Sequence, residues 1–165
     1  MIEQNGQISA EYLLITGVMI LILIISAVLI FNNQELNIAM GSARNGVNEG
    51  LVDSSIAIYT KQAYDDYSKS KSNILVPYSV EIVNVSYSDM GKDINYDKEK
   101  IQFKVYAKNS KEFSKKELDS IGDRINYNLR KSLAIAFNST SSTNRLYNPV
   151  FSPHYVFTTA NVKWV

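Results

Sequence analysis

The chain has no cysteine and only one histidine among its 165 residues. Without cysteine there is neither a disulfide nor a thiolate metal site, so stability must come from packing or from assembly. The lone histidine, His154, follows Pro153 and has no second histidine with which to form a metal cluster or a catalytic triad. The sequence also lacks a phosphate-binding glycine loop and a nucleophile motif. We therefore expect neither an enzyme nor a bound cofactor.

Metal-ligating patterns are equally scarce. The acids Asp89, Asp93, Asp97 and Glu99 lie close together in the sequence. Their spacing lacks the order of alternating acids, the glycine and the terminal glutamate of an EF-hand loop. We therefore interpret these acids as a solvated turn with interspersed lysines and expect no metal site.

The chain also lacks a strong excess of charge of either sign. The formal net charge is +1, and the basic excess is mild even in the C-terminal half. Nucleic-acid binding requires basic residues concentrated on one face. We therefore expect no nucleic-acid partner.

The most informative absence is that of charge in the N-terminal region. No acidic or basic side chain occurs between Glu11 and Glu35, and the segment 12–31 is almost entirely apolar. A helix rises about 1.5 Å per residue, so this segment is long enough for the ~30 Å hydrocarbon core of a bilayer. An acid directly beside such a segment either lies at the headgroups, where it complements the helix dipole, or requires a partner.

The apolar segment has two simpler interpretations. A secretory signal peptide has a basic n-region and an apolar core of about 7–15 residues. This chain has no Lys or Arg before Arg44, and its apolar core is too long. Because the residues before the apolar segment include no Lys or Arg, the positive-inside rule does not predict the topology. A signal anchor that never polymerises remains open as the strongest alternative.

The residues before the apolar segment carry a specific resemblance. Gly6 is followed by Gln7, Ser9, Glu11 and Tyr12, and then directly by the hydrophobic helix. This order resembles the class III signal peptide of archaeal type IV pilin-like proteins. The resemblance implies that a prepilin peptidase cleaves between Gly6 and Gln7. The helix is then retained, and Glu11 becomes the fifth residue of the mature chain, a position that this family keeps acidic.

The resemblance also gives Glu11 an assembly role that physical chemistry can explain. Cleavage creates an α-amine on Gln7, which can neutralise Glu11 of a neighbouring subunit in an apolar filament core. Because breaking such a pair leaves the other charge uncompensated, the pair would set the axial register of the subunits. If Gln7 cyclises and loses its charge, Ser9 and Tyr12 become the local hydrogen-bond donors. Ser9 alternatively serves only as a helix N-cap.

From the resemblance we expect a structural subunit of a surface filament, with adhesion as its role. The implied partners are prepilin peptidase, identical or related subunits, membrane lipid before assembly and the pilus assembly machinery. The implied location is the cytoplasmic membrane for a single-span precursor, followed by an extracellular filament. The alternatives are a minor pilin and a non-polymerising surface protein whose head binds a partner. The sequence does not distinguish a major from a minor subunit.

Four segments are predicted along the chain: a leader at 1–6, a hydrophobic helix at 7–34, its amphipathic continuation at 35–72 and an extracellular head at 73–165. The continuation ends within 68–72. Apolar and small residues recur there every three or four positions, typical of one face of a helix: Leu36, Met40, Ala43, Val47, Leu51, Ser55 and Ile58. Gly41, Gly46 and Gly50 interrupt it and indicate a bend, or else a close approach of subunits.

The head is predicted to be α+β, with an antiparallel sheet and at least one further helix. A kinked strand is predicted at 80–87, a turn at 89–93 and a second strand at 101–107, together forming a hairpin. Ser114 and Glu117 have the spacing of a capping box and should open a helix. Its apolar face contains Leu118, Ile121, Ile125, Leu129 and Leu133. Short closing strands are predicted at 147–149, 156–158 and 162–165.

Two asparagines of the head lie in glycosylation sequons, at 84–86 and 138–140. Asn84 lies in a predicted strand, whereas Asn138 lies in a polar loop and is the better acceptor. The tyrosines Tyr59, Tyr64 and Tyr67 recur at helical spacing. Core packing is the preferred interpretation of these tyrosines, and an interface between helix and head or between subunits is the alternative.

Overall fold

The computed structural model describes residues 3–56, 69 and 79–165. These residues belong to two compact units, Met1–Asn37 and Ile38–Val165. The architecture is α+β, as predicted: a long N-terminal apolar helix precedes a sheet and a further helix. The predicted segment boundaries at residues 34 and 72 stay predictions, and the second lies outside the described residues.

The first helix, α1, spans Glu3–Ile56. Its C-terminal part belongs to the second unit, where Ala39, Ala43 and Val47 are fully buried. Of the predicted apolar face, Ala43 and Val47 are buried, whereas Leu36, Met40 and Leu51 are half-buried. Ile58 lies outside the described residues. The predicted end at 68–72 lies outside the described residues except for Lys69, which is helical.

Two glycines of α1 allow a close approach to the second helix of the unit, α2 (Lys115–Ala136). A Cβ on Gly46 would lie 2.4 Å from the backbone oxygen of Asn128, and one on Gly50 would lie 2.9 Å from the Cα of Ile125. No side chain fits at such distances. The close approach is therefore between helices of the same chain. Neither a bend nor a subunit contact is needed to explain these two glycines.

Helix α2 begins and ends with local capping motifs. The Ser114 backbone N–H donates to Oε2 of Glu117 at 2.8 Å, and the Glu117 N–H donates to Oγ of Ser114 at 3.4 Å. The predicted capping box is thus confirmed. At the other end the backbone N–H groups of Asn138 and Ser139 donate to the carbonyls of Ile135 and Ala134. Asn138 has a left-handed φ of 50°, so this end is a Schellman motif.

A long hairpin forms the first two strands, β1 (Val80–Asp93) and β2 (Lys98–Asn109). The predicted kink in β1 corresponds to a register shift between Ile82 and Asn84. The predicted turn at 89–93 is wrong, because β1 continues through these residues and the chain turns at 94–97. The turn-forming residues instead produce a second irregularity in β1, where Gly91 has a φ of 76° and donates to the Asp89 carboxylate.

Three short strands complete the sheet: β3 (Val150–Phe151), β4 (Tyr155–Thr159) and β5 (Lys163–Trp164). The first was predicted three residues too early. Tyr147 has a left-handed φ of 52° and Pro149 has no backbone N–H, so regular pairing begins only at Val150. The strand order is β1-β2-β4-β3, and β5 pairs with β2.

The sheet is mixed. The β1–β2 and β3–β4 pairs are antiparallel, whereas β4 and β5 each run parallel to β2. The parallel pairing follows from the connection, because α2 crosses between β2 and β4 and returns the chain in the same direction.

The core of the second unit lies between α2 and one face of the sheet. Four of the five predicted apolar positions of α2 are buried, and Leu118 is half-buried. On the sheet side the alternation predicted for β2 places Ile101, Phe103, Val105 and Ala107 inside. The rings of Phe103 and Phe157 lie 5.9 Å apart, and Phe137 stacks on Phe157 at 5.3 Å. These contacts join α2, β2 and β4 into one core.

Candidate functional site in the N-terminal helix

The predicted cleavage position lies near the start of α1. Glu3 is the first helical residue described, so the Gly6–Gln7 bond falls within the first turns of the helix. The first four backbone N–H groups of a helix have no intrahelical partner, and glycine is about 1 kcal/mol worse than alanine in a helix. Local unwinding at Gly6 is therefore inexpensive. The free-energy cost of presenting the Gly6–Gln7 bond to a peptidase in a non-helical conformation is therefore small.

Glu11 and the apolar residues that follow it are exposed. Leu13 is 69 % exposed, Leu23 is 68 % exposed and Ile30 is 65 % exposed. Among the described residues, one helical stretch, Ala10–Val52, is long and apolar enough to cross a membrane by length and composition. Its most apolar part is not buried against the rest of the chain. This segment is compatible with membrane anchoring, and it exposes a continuous apolar surface.

Two hydroxyl groups of this segment donate hydrogen bonds within the helix. Thr16 donates to the carbonyl of Tyr12, and Ser26 donates to the carbonyl of Ile22, both at 2.8 Å. Each hydroxyl thus donates to the carbonyl oxygen four residues earlier in the same helix. The segment can therefore enter an apolar surrounding without losing these hydrogen bonds.

Both sequons lie in the second unit, and the asparagine of each is exposed. Asn84 follows the register shift in β1 and lines a cavity of about 330 Å³ together with Arg44 and Val83. Asn138 has a second, purely structural reason to be asparagine. It occupies the left-handed position that ends α2, where asparagine is the usual substitute for glycine. Glycosylation of either residue stays a prediction.

Two acidic residues of the hairpin form ion pairs with lysines. Lys92 Nζ lies 2.6 Å from the Asp97 carboxylate, and Lys100 Nζ lies 3.4 Å from that of Asp93. The hydrogen bond and charge of Lys92 lower the pKa of Asp97, and Asp97 in turn raises the pKa of Lys92. No group of three or more metal-ligating side chains occurs within residues 3–56, 69 and 79–165. The predicted solvated turn fits only Asp97, because Asp89, Asp93 and Glu99 lie in strands and the Asp93 side chain is only 9 % exposed. The absence of a metal site stays a prediction.

One cation of the second unit is partly buried. Arg130 on α2 donates to the Leu146 carbonyl at 3.0 Å and to Thr159 Oγ1 at 2.5 Å. Burial lowers the pKa of its guanidinium, and the negative charge of Asp123 partly opposes this effect. Arg130 thus links α2 by hydrogen bonds both to the loop that follows it and to β4.

Sequence reasoning located the N-terminal motif but missed other features. The packing role of Gly46 and Gly50 depends on which helix lies opposite, and no local pattern shows that. A groove along α2 also went unnoticed, although Asp119 and Asp123 have the four-residue spacing that signals one helix face. The tyrosines at 59, 64 and 67 lie outside the described residues.

Comparison of this chain with protein families, with curated proteins and with solved structures gives no match. The functional interpretation therefore rests on the sequence motif before the apolar segment and on the exposed apolar surface of α1.

Proposed function

We propose that this chain is a structural subunit of an archaeal type IV pilus-like surface filament. It is made as a membrane-anchored precursor and cleaved by a prepilin peptidase between Gly6 and Gln7. It then polymerises through its N-terminal helix, with adhesion as the role of the filament. Its partners are the peptidase, further pilin subunits and the assembly machinery.

A single observation carries this proposal. The motif from Gly6 to Tyr12 lies in the first turns of α1 and directly precedes a stretch of that helix whose large apolar side chains are exposed in the isolated chain. Each such side chain gains about 1.5–3 kcal/mol when it is fully removed from water. Before assembly, lipid covers the apolar side chains of this segment. In the filament core, the same segments of neighbouring subunits replace the lipid.

A second candidate is a non-polymerising protein anchored by the same helix, with a head that binds a partner. The observation that favours it is the leader, residues 1–6, which contains no Lys or Arg. A minor pilin would share the cleavage and the helix with the main proposal. These alternatives predict different locations for the protein.

Electron microscopy of material sheared from the cell surface tests the proposal. Immunogold labels against the head should decorate filaments along their length. Labels confined to filament tips would indicate a minor subunit. Absence of the chain from the sheared material, with all of it in the membrane fraction, would support the simple anchor and contradict polymerisation.

A further inference from the structure

We propose that a groove along α2 binds an organic cation, a primary ammonium or guanidinium group. The groove has a volume of about 410 Å³ and lies between α2 and the C-terminal residues. We call it the α2 groove, and the residues that matter for the proposal are Asp119, Gly122, Asp123, Asn126, Asn161 and Trp164.

The helix side of the groove follows from sequence spacing. Asp119, Gly122, Asp123 and Asn126 are separated by three or four positions and therefore share one face of α2. Gly122 permits the C-terminal segment to lie close, because a Cβ there would come within 3.3 Å of the Val162 side chain. The groove is thus built by the fold and lies within the second unit.

The two carboxylates of the groove favour a cationic occupant. Asp119 and Asp123 are exposed and make no ion pair or hydrogen bond with any residue in the described part of the chain. Like charges four residues apart on a helix repel each other. A cation placed between them would remove this repulsion and form charge-assisted hydrogen bonds.

A buried amide adds an independent observation. Asn126 is only 5 % exposed, and its Nδ2 donates to the Ala160 carbonyl at 3.0 Å. Its Oδ1 is buried without a hydrogen-bond partner among the described residues. An unpaired buried acceptor is costly, and its partial negative charge adds to the potential of the carboxylates. Asn126 is one of the residues that line the groove, so this potential acts on a cation bound there.

Trp164 determines which kind of cation fits best. The indole of tryptophan attracts cations more strongly than the other aromatic rings, and guanidinium groups also stack on it. β5 pairs Trp164 with Ala107 of β2, which fixes its backbone beside the groove. Lys115 also lines the groove and opposes cation binding. The cation is either a free amine or a basic side chain of a peptide, since both present the same group.

Fluorescence provides a direct test, because Trp164 is the only tryptophan of the chain. The full chain in detergent micelles is titrated with n-butylguanidinium, as a free guanidinium compound, and with a capped Gly-Arg-Gly peptide of the same charge, at constant ionic strength. We expect a saturable change in emission, with a Kd on the order of 1 mM or tighter. A stronger response to n-butylguanidinium assigns the site to small free cations, and a stronger response to the peptide assigns it to basic side chains.

Variants separate the groove from general charge effects. Asp119→Asn and Asp123→Asn should each weaken binding by about three- to tenfold, and Lys115→Met should strengthen it by a few fold. Glu81→Gln removes the same charge outside the groove and should change the Kd by less than about twofold. Asp119→Asn is the cleaner test, because Asp123 also acts on Arg130.

Three results would overturn the proposal. The first is the absence of a saturable response to either cation. The second is an equal loss of binding in Glu81→Gln, which would indicate non-specific attraction. The third is saturation by glucose but not by the cations, which would make the groove a carbohydrate site. Far-UV circular dichroism of each variant establishes that it is folded.

Discussion

Residues 12–30 and 39–50 lie on the same helix but differ in what they pack against. The first segment consists mainly of large apolar side chains, and most of them are more than half exposed. In the second segment the small residues Ala39, Ala43, Gly46 and Gly50 are buried, and a Cβ at either glycine would collide with α2. The N-terminal part of α1 thus exposes its apolar side chains. The later part packs against α2 of the same chain.

This difference assigns separate tasks to the two compact units. The second unit buries apolar side chains of its own, whereas the first exposes a continuous apolar surface. Mutations in one unit should therefore alter assembly without altering the stability of the other. The predictions below test this separation in order of decreasing effect.

Glu11→Ala should abolish filament formation while the second unit keeps its free energy of unfolding. Removing one member of a buried ion pair costs about 3–5 kcal/mol, and this cost recurs in every subunit of a filament. The measurement is the amount of filament in the sheared fraction, together with the unfolding transition of the purified chain.

Glu49→Ala is the matched control for Glu11→Ala, because it removes an exposed carboxylate from the same helix in the other unit. It should leave filaments intact. Normal filament formation by Glu11→Ala would contradict the register role of Glu11. A large loss of stability in the second unit would contradict the separation of tasks.

Gly46→Ala should destabilise the second unit by about 1–3 kcal/mol, because the added methyl group overlaps the α2 backbone. Gly41→Ala provides the control, since a Cβ on Gly41 meets nothing within 4 Å. It should stabilise the helix by up to about 1 kcal/mol through helix propensity alone. Chemical denaturation of the two variants measures the difference. Equal stabilities would show that α1 and α2 do not pack as described.

A smaller effect is expected at the Lys92–Asp97 pair in the hairpin. Because Lys92 lowers the folded-state pKa of Asp97, the pair contributes stability above the ordinary aspartate pKa of about 3.9. This contribution is lost as the pH falls through the lowered folded-state pKa. An NMR titration of the Asp97 carboxyl should show the low pKa, and Lys92→Met should restore the ordinary value. An unchanged titration in Lys92→Met would show that the pair does not form in solution.

The comparison also shows which features a sequence reveals. The Ser114–Glu117 capping box and the alternation along β2 are local patterns, and both predictions were confirmed. The turn expected at 89–93 was misplaced because Asp89 and Gly91 have the same residue types whether they form a turn or an irregular strand. The closest approach of α1 to α2 depends on residues about eighty positions apart. No window of the sequence contains both partners.

The candidate site divides in a similar way. The exposed apolar segment follows from composition, whereas the resemblance alone indicates cleavage and assembly. The α2 groove required the three-dimensional structure, because Asp119 and Trp164 are brought together only when β5 pairs with β2. Sequence reasoning therefore identified the exposed apolar part of α1 and missed the contacts of Gly46 and Gly50 with α2.

Mass spectrometry of the N-terminus of the sheared surface fraction tests the central claim most directly. We predict that the chain there begins at Gln7, either as glutamine or in its cyclised form. The precursor beginning at Met1 should remain in the membrane fraction. A sheared protein that still begins at Met1, or one that begins near Arg44 after removal of the apolar helix, would contradict the account.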